Sequence, residues 1–158
     1  MDLMAKVFID RSDNELLLAE KVKVISEDAA AREFLKIPER MTFYSSVISH
    51  SYYAIFYAAK AILLTKGIRT SSPEIHRKTF DGFKRNFVDT GILDVKLLEI
   101  YMSMAVRADE LLNIFDREKW KRGNFTYNTI PQANRGPAED SLKNAKTFVS
   151  NITKVIQK

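Results

Sequence analysis

Ser51-Tyr-Tyr-Ala-Ile-Phe-Tyr-Ala-Ala-Lys-Ala-Ile-Leu-Leu-Thr-Lys-Gly67 decides how the rest of the chain is read. Ala54, Ala58 and Ala61 fall at i, i+4 and i+7, where small side chains let a second helix approach closely. With Val47 and Ile48 upstream, and Ile55, Ile62 and Leu63 within it, the segment has apolar faces suited to burial on several sides. The pattern predicts a buried central helix from about Glu39 to Lys66, stopped by Gly67 in a left-handed cap.

Helical signals continue on both sides. Ser12-Asp13-Asn14-Glu15 has the form of a capping box, so a first helix is expected from Ser12. Its apolar stripe would be Leu18, Val22, Ile25 and Ala29, fading before Pro38. A third helix is expected to open at Ser71-Ser72-Pro73-Glu74, with Pro in the first turn, and to carry His76, Phe80, Phe83 and Phe87 up to Gly91. A fourth should run from about Asp94 to Trp120, its stripe being Leu97, Tyr101, Met104, Ala108, Leu111 and Phe115. Arg122 to Gly136 is a polar connection without helical pattern. A last helix begins near Pro137 with Leu142, Ala145, Phe148, Val149, Ile152, Val155 and Ile156. The fold expected is all-α: an up-and-down bundle of about five helices forming one domain over 1–158, with its core at about 12–156.

Composition agrees with this reading. The 158 residues include only five Gly and four Pro, and 46% are hydrophobic against 28% charged, the balance of a globular domain. Without Cys there is no disulfide, thiolate nucleophile or Cys-type zinc site. Two His and no Asp-rich loop make a metal site, or any other cofactor, unexpected. No uninterrupted apolar run approaches the ~20 residues that span a bilayer, and the N-terminus lacks a signal pattern, so no membrane role and a cytoplasmic location are expected. The net charge of +5 tilts toward an anionic partner, nucleic acid being the commonest.

The Tyr-Tyr-Ala, Phe, Ala-Ala and Ala-Ile-Leu-Leu series ending in Gly67 resembles the signature helix of prokaryotic HEPN domains. The likeness continues through His76, Phe83, Phe87-Val-Asp-Thr-Gly91, Arg107-Ala-Asp109 and the Pro137–Val149 stretch, covering roughly residues 12 to 156. It implies a helical bundle that forms a homodimer and is often paired with a minimal nucleotidyltransferase in toxin–antitoxin or defence modules. Many members are metal-independent ribonucleases, whose active Arg and His have four to six residues between them on the fourth helix. By that resemblance Arg107 and Asp109 are the candidate catalytic residues. The chain departs from the pattern where the His should fall, because positions 112–114 hold Leu112, Asn113 and Ile114. None of these shuttles a proton near neutral pH. The expected function is therefore binding of RNA or of a nucleotidyltransferase partner, without the usual ribonuclease chemistry. The alternatives are a ribonuclease with a displaced His and a pure protein-interaction module.

Each candidate has two readings. Arg107 lies in line with Ile100 and Ile114, a half-apolar flank suited to a dimer seam, or else pairs locally with Glu110. Asp109 projects away from Arg107 and serves either a family-like polar role or a solvated or capping one. His76, on a face with three Phe, reads better as a core histidine, and Arg69 with His76 meets the Arg/His spacing only across a helix start. His50 reads as a packed or interfacial imidazole. Arg117, Lys119, Trp120, Lys121 and Arg122, followed by Phe125 and Tyr127, combine cations with aromatics as single-strand binders do, or else form a solvated helix end. Tyr127 is a conceivable acceptor for modification by a nucleotidyltransferase. Arg77, Lys78, Lys84 and Arg85 make a second basic cluster, and Lys143, Lys146, Lys154 and Lys158 add charge to the last helix.

Overall fold

The quoted segment forms the centre of a helical bundle in a computed structural model that describes residues 2–115 and 134–158, among which no strand occurs. The helices are α1 (Leu3–Glu27), α2 (Ala29–Phe34), α3 (Tyr44–Leu64), α4 (Ile75–Phe83, prolonged by a π turn at Lys84–Val88), α5 (Val95–Leu112) and α6 (Arg135–Ile156). Helix α3 packs against α1, α4, α5 and α6. Its Ala54, Ala58, Ala59 and Ala61 are fully buried, as are Val47, Ile48, Ile55, Ile62 and Leu63. The segment ends as expected: Gly67 sits at φ +70°, its N–H donating to Leu64 O and that of Ile68 to Leu63 O, the bonding of a Schellman cap. The helix begins at Tyr44, later than the sequence suggested. By length and composition α3 is apolar enough to cross a bilayer (mean hydropathy 1.3), but 72% of that stretch is buried inside the bundle, as in a core helix.

Helix α1 corrects the sequence reading. It starts at Leu3, capped by the Asp2 carboxylate, which accepts from the N–H groups of Met4 and Ala5. Ser12 is no cap. It lies mid-helix, fully buried, its hydroxyl donating to Ala54 O on α3 at 2.7 Å. The face turned to the core carries Ala5, Ile9, Ser12, Ala19 and Ser26, spaced by four, three, seven and seven. Leu18, placed by its pattern in the core, is 44% exposed, and Ala29 is exposed at the start of α2. Small side chains rather than large ones set this contact, because they let α1 lie close along the alanines of α3.

The other ends shift by a few residues. Helix α4 begins at Ile75, after Glu74 at φ +56°, so Pro73 precedes the helix instead of sitting in its first turn. Asp94 caps α5 by accepting from Lys96 N–H at 2.8 Å. That helix stops at Leu112, with Asn113 in the left-handed region, short of the expected Trp120. Its stripe holds: Leu97, Tyr101, Met104 and Ala108 are buried, and Tyr101 meets Phe80, Phe83 and Phe148 from α4 and α6.

Candidate functional site

Arg107 is half-buried on α5, and its guanidinium crosses to α6. One nitrogen, Nη1, donates to Pro137 O at 2.9 Å and to the hydroxyl of buried Ser141 at 3.0 Å. Both acceptors are neutral, so among the described residues the charge has no carboxylate partner, Glu110 included. Its neighbours in line, Ile100 and Ile114, are also half-buried. Ile100 borders a shallow groove between α5 and α6 with Lys96, Glu99, Ser103, Asn144 and Thr147.

Asp109 faces another way. It is fully buried, and its Oδ1 accepts from Phe115 N–H at 3.0 Å, tying down the chain just beyond α5. That bond is of the kind a capping role toward the following chain requires. Asn113, one of the positions where a proton-shuttling His would stand, is used to end the helix.

His76 comes to the same side of α5 as Asp109. The imidazole lies 4.4 Å from the Phe56 ring and 6.1 Å from that of Phe115, and Nδ1 is 2.8 Å from the Tyr52 hydroxyl. Burial, and then the Lys60 charge, lower its pKa to about 4 against the opposing pull of Asp109, so it is neutral at physiological pH. Burial also pushes the Tyr52 phenol well up, so that it keeps its proton. Since Tyr52 is fully buried, donation of that proton to Nδ1 leaves no orphaned hydroxyl and places the imidazole N–H on Nε2. His76 is half-buried and satisfied by Tyr52, at the edge of the core rather than within it, and its neighbours are Tyr52, Tyr53 and Phe56 rather than the Phe80–Phe87 face. Arg69 does not join it, lining instead a cavity between α1 and α3.

His50 has a partner that the sequence did not suggest. Its Nδ1 lies 2.6 Å from Glu15 Oε2 across the α1–α3 contact, with both side chains half-buried. The capping-box pattern would occupy Glu15 at a helix start, and the start of α1 at Leu3 frees it for this role. Beside the pair, Arg11 stacks on Tyr57 at 4.4 Å.

The basic candidates divide. Arg117, Lys119, Trp120, Lys121 and Arg122, with Phe125 and Tyr127, lie outside the described residues. Lys84 is exposed and paired with Asp89 at 3.0 Å, whereas Arg85 is exposed with no carboxylate partner among the described residues. Arg77 pairs with Glu74, and Lys146 reaches Glu20 on α1 at 2.7 Å. Among the described residues no three His, Asp or Glu side chains converge as metal ligands do.

Comparisons with known proteins bear on this arrangement. The family model described as the HEPN domain matches residues 29–155. A protein of Methanocaldococcus jannaschii named as a candidate toxin is 42% identical over 57 residues, 36% of this chain and 37% of that protein. A second candidate toxin of the same organism is 27% identical over 136 residues, 86% of each chain. A UPF0332 protein of Thermotoga maritima is 29% identical over 112 residues, 71% of this chain and 72% of that protein. No solved structure matches the chain.

Proposed function

The chain belongs to the HEPN domain family, and from that premise we propose that it is the HEPN component of a toxin-type module, a homodimer that binds RNA without cleaving it. The relatives named as candidate toxins support the toxin-type part. One observation carries the non-cleaving part: Arg107 is held on α6 by Pro137 O and Ser141, and the positions that follow it on the chain, Leu112, Asn113 and Ile114, offer no proton-transfer group. A cation without a general acid or base beside it can hold a phosphate, but it cannot drive attack by a 2′-hydroxyl. Arg117, Lys119, Trp120, Lys121 and Arg122, with Lys84 and Arg85, would add attraction for the RNA backbone. A minimal nucleotidyltransferase is the protein partner this reading expects.

The test is incubation of the protein with mixed RNA and a chelator, beside an Arg107→Ala variant shown by circular dichroism to be folded. Intact RNA with both proteins is the expected result. Cleavage by the wild type that disappears in Arg107→Ala would overturn the reading.

The ribonuclease alternative needs His76 or His50 to meet an Arg. Within one protomer His76 sits on the Asp109 side of α5, away from Arg107, so the meeting would have to occur across a dimer. Cleavage lost in His76→Gln or His50→Gln would favour that version.

A further inference from the structure

The groove between α1 and α3 carries cations that nothing in the Arg107 arrangement uses. Lys60, on α3, points its ammonium over the Phe8 ring at 4.9 Å and donates to Thr70 O at 3.2 Å. Arg11 lies nearby on Tyr57, and Arg69 stands at the far end. Among the described residues none of the three has a carboxylate within ion-pair distance. Lys60 is partly desolvated and repelled by Arg11, and both effects pull its pKa below the ordinary lysine value. A cation kept in that position without a counter-charge is stabilised when an anion arrives.

The groove opens into a cavity of about 320 Å³, at the low end of the range for small-ligand sites. Lys60, Arg69 and Thr70 supply its polar rim, and Phe8, Leu64 and Ile68 its apolar wall. Phe8 stacks on Tyr57 (6.1 Å, 13°), which stacks in turn on Tyr53, so the aromatic surface continues out of the cavity. An anionic head with a flat, mostly apolar body fits this lining, and a nucleotide has that form.

We propose that the α1–α3 cavity is a nucleotide site, in which Lys60 and Arg69 hold a phosphate and the base rests against Phe8, Leu64 and Ile68. The nucleotide can be one residue of a single-stranded RNA or a free mononucleotide, for the recognising chemistry is the same. The site is separate from Arg107 and does not depend on whether RNA is cut.

Fluorescence anisotropy of a labelled short oligoadenylate, with AMP as competitor, tests this on the full chain. Arg69→Gln is an exposed change that leaves the core alone, and Lys60→Gln removes the central cation. Each is expected to weaken binding about tenfold, and each should flatten the slope of log affinity against log salt by about 0.7, the share of one lost phosphate contact on a single strand. Displacement of the oligonucleotide by AMP would assign the site to free nucleotides as well as RNA, and failure of AMP to compete would assign it to the strand. Binding that is unchanged in Arg69→Gln and Lys60→Gln, or lost only when Arg117 and Lys119 are replaced, would overturn the proposal. So would a wild type that binds neither probe. RNA cleavage in the chelator assay would sink the non-cleaving reading and leave this one standing.

Discussion

The Tyr52 hydroxyl and His76 Nδ1, 2.8 Å apart, join the central helix to α4 through a neutral imidazole. Burial and Lys60 lower the folded-state pKa of His76 to about 4, whereas in the unfolded chain it returns to about 6.5. Between those values the unfolded state binds a proton that the folded state refuses. The stabilisation is therefore complete above pH ~6.5 and is lost as pH falls toward ~4. Urea unfolding across this window should show the midpoint falling with acid. In His76→Gln, which keeps an acceptor for Tyr52, the fall should be shallower. Parallel curves for the two proteins would show that His76 is not the group responsible.

Arg107 is expected to matter for stability whatever its role toward RNA. Its bonds to Pro137 O and Ser141 fasten the start of α6 to α5. Arg107→Ala should lower the unfolding free energy by about 1.5–3 kcal/mol, the range for hydrogen bonds to a charged group, and Ser141→Ala by about 1 kcal/mol. Because the two residues share a bond, the double variant should lose less than the sum of the single losses. Strict additivity in denaturant melts would show that the Arg107–Ser141 contact does not exist in solution.

A second arginine works at the same end of the bundle, where Arg135 at the start of α6 meets Glu27 at the end of α1 at 3.3 Å. Arg32 donates to Ile25 O through Nη1 (2.9 Å), and through Nη2 to Pro38 O, Glu39 O and Met41 O (2.9, 3.2 and 2.7 Å). It thus gathers the turn between α2 and α3 around one planar group. A lysine ammonium lacks that spread of donors. Arg32→Lys should accordingly behave much like Arg32→Ala, with faster tryptic cleavage at Lys36 and Arg40 in both. Full protection in Arg32→Lys would mean that charge alone holds the turn.

What was legible in the sequence follows from side-chain size. Helix α3 could be read because Ala54, Ala58 and Ala61 sit among large apolar residues and Gly67 supplies a sharp end. Helix α5 could be read from an apolar stripe that is buried at Leu97, Tyr101, Met104 and Ala108 and half-buried at Leu111. The seam of α1 could not, because Ser12, Ala19 and Ser26 carry no hydrophobic signal, while Leu17, Leu18 and Val24 carry one and face out. The same misplacement hid the Glu15–His50 pair. Arg107 was located from a resemblance, but its destination on α6 depends on packing between helices distant in the chain, which periodicity within α5 does not encode.

The register of α1 is the most direct of these points to test, since the two readings exchange the fates of adjacent residues. Ala19 is fully buried against α3, and Leu18 beside it is 44% exposed. Enlarging Ala19 to Leu forces side-chain volume into a close helix contact and should lower stability by about 1–3 kcal/mol. Truncating Leu18 to Ala removes little buried surface and should stay within about 0.5 kcal/mol of the wild type. Ser12→Ala, which removes the hydroxyl bonded to Ala54 O, should fall between them at about 1 kcal/mol. If Leu18→Ala proved the most damaging of the three in urea melts, α1 would be rotated from the position described, with its leucines inward. Ser12 would then lose its bond to α3, and Glu15 its place beside His50.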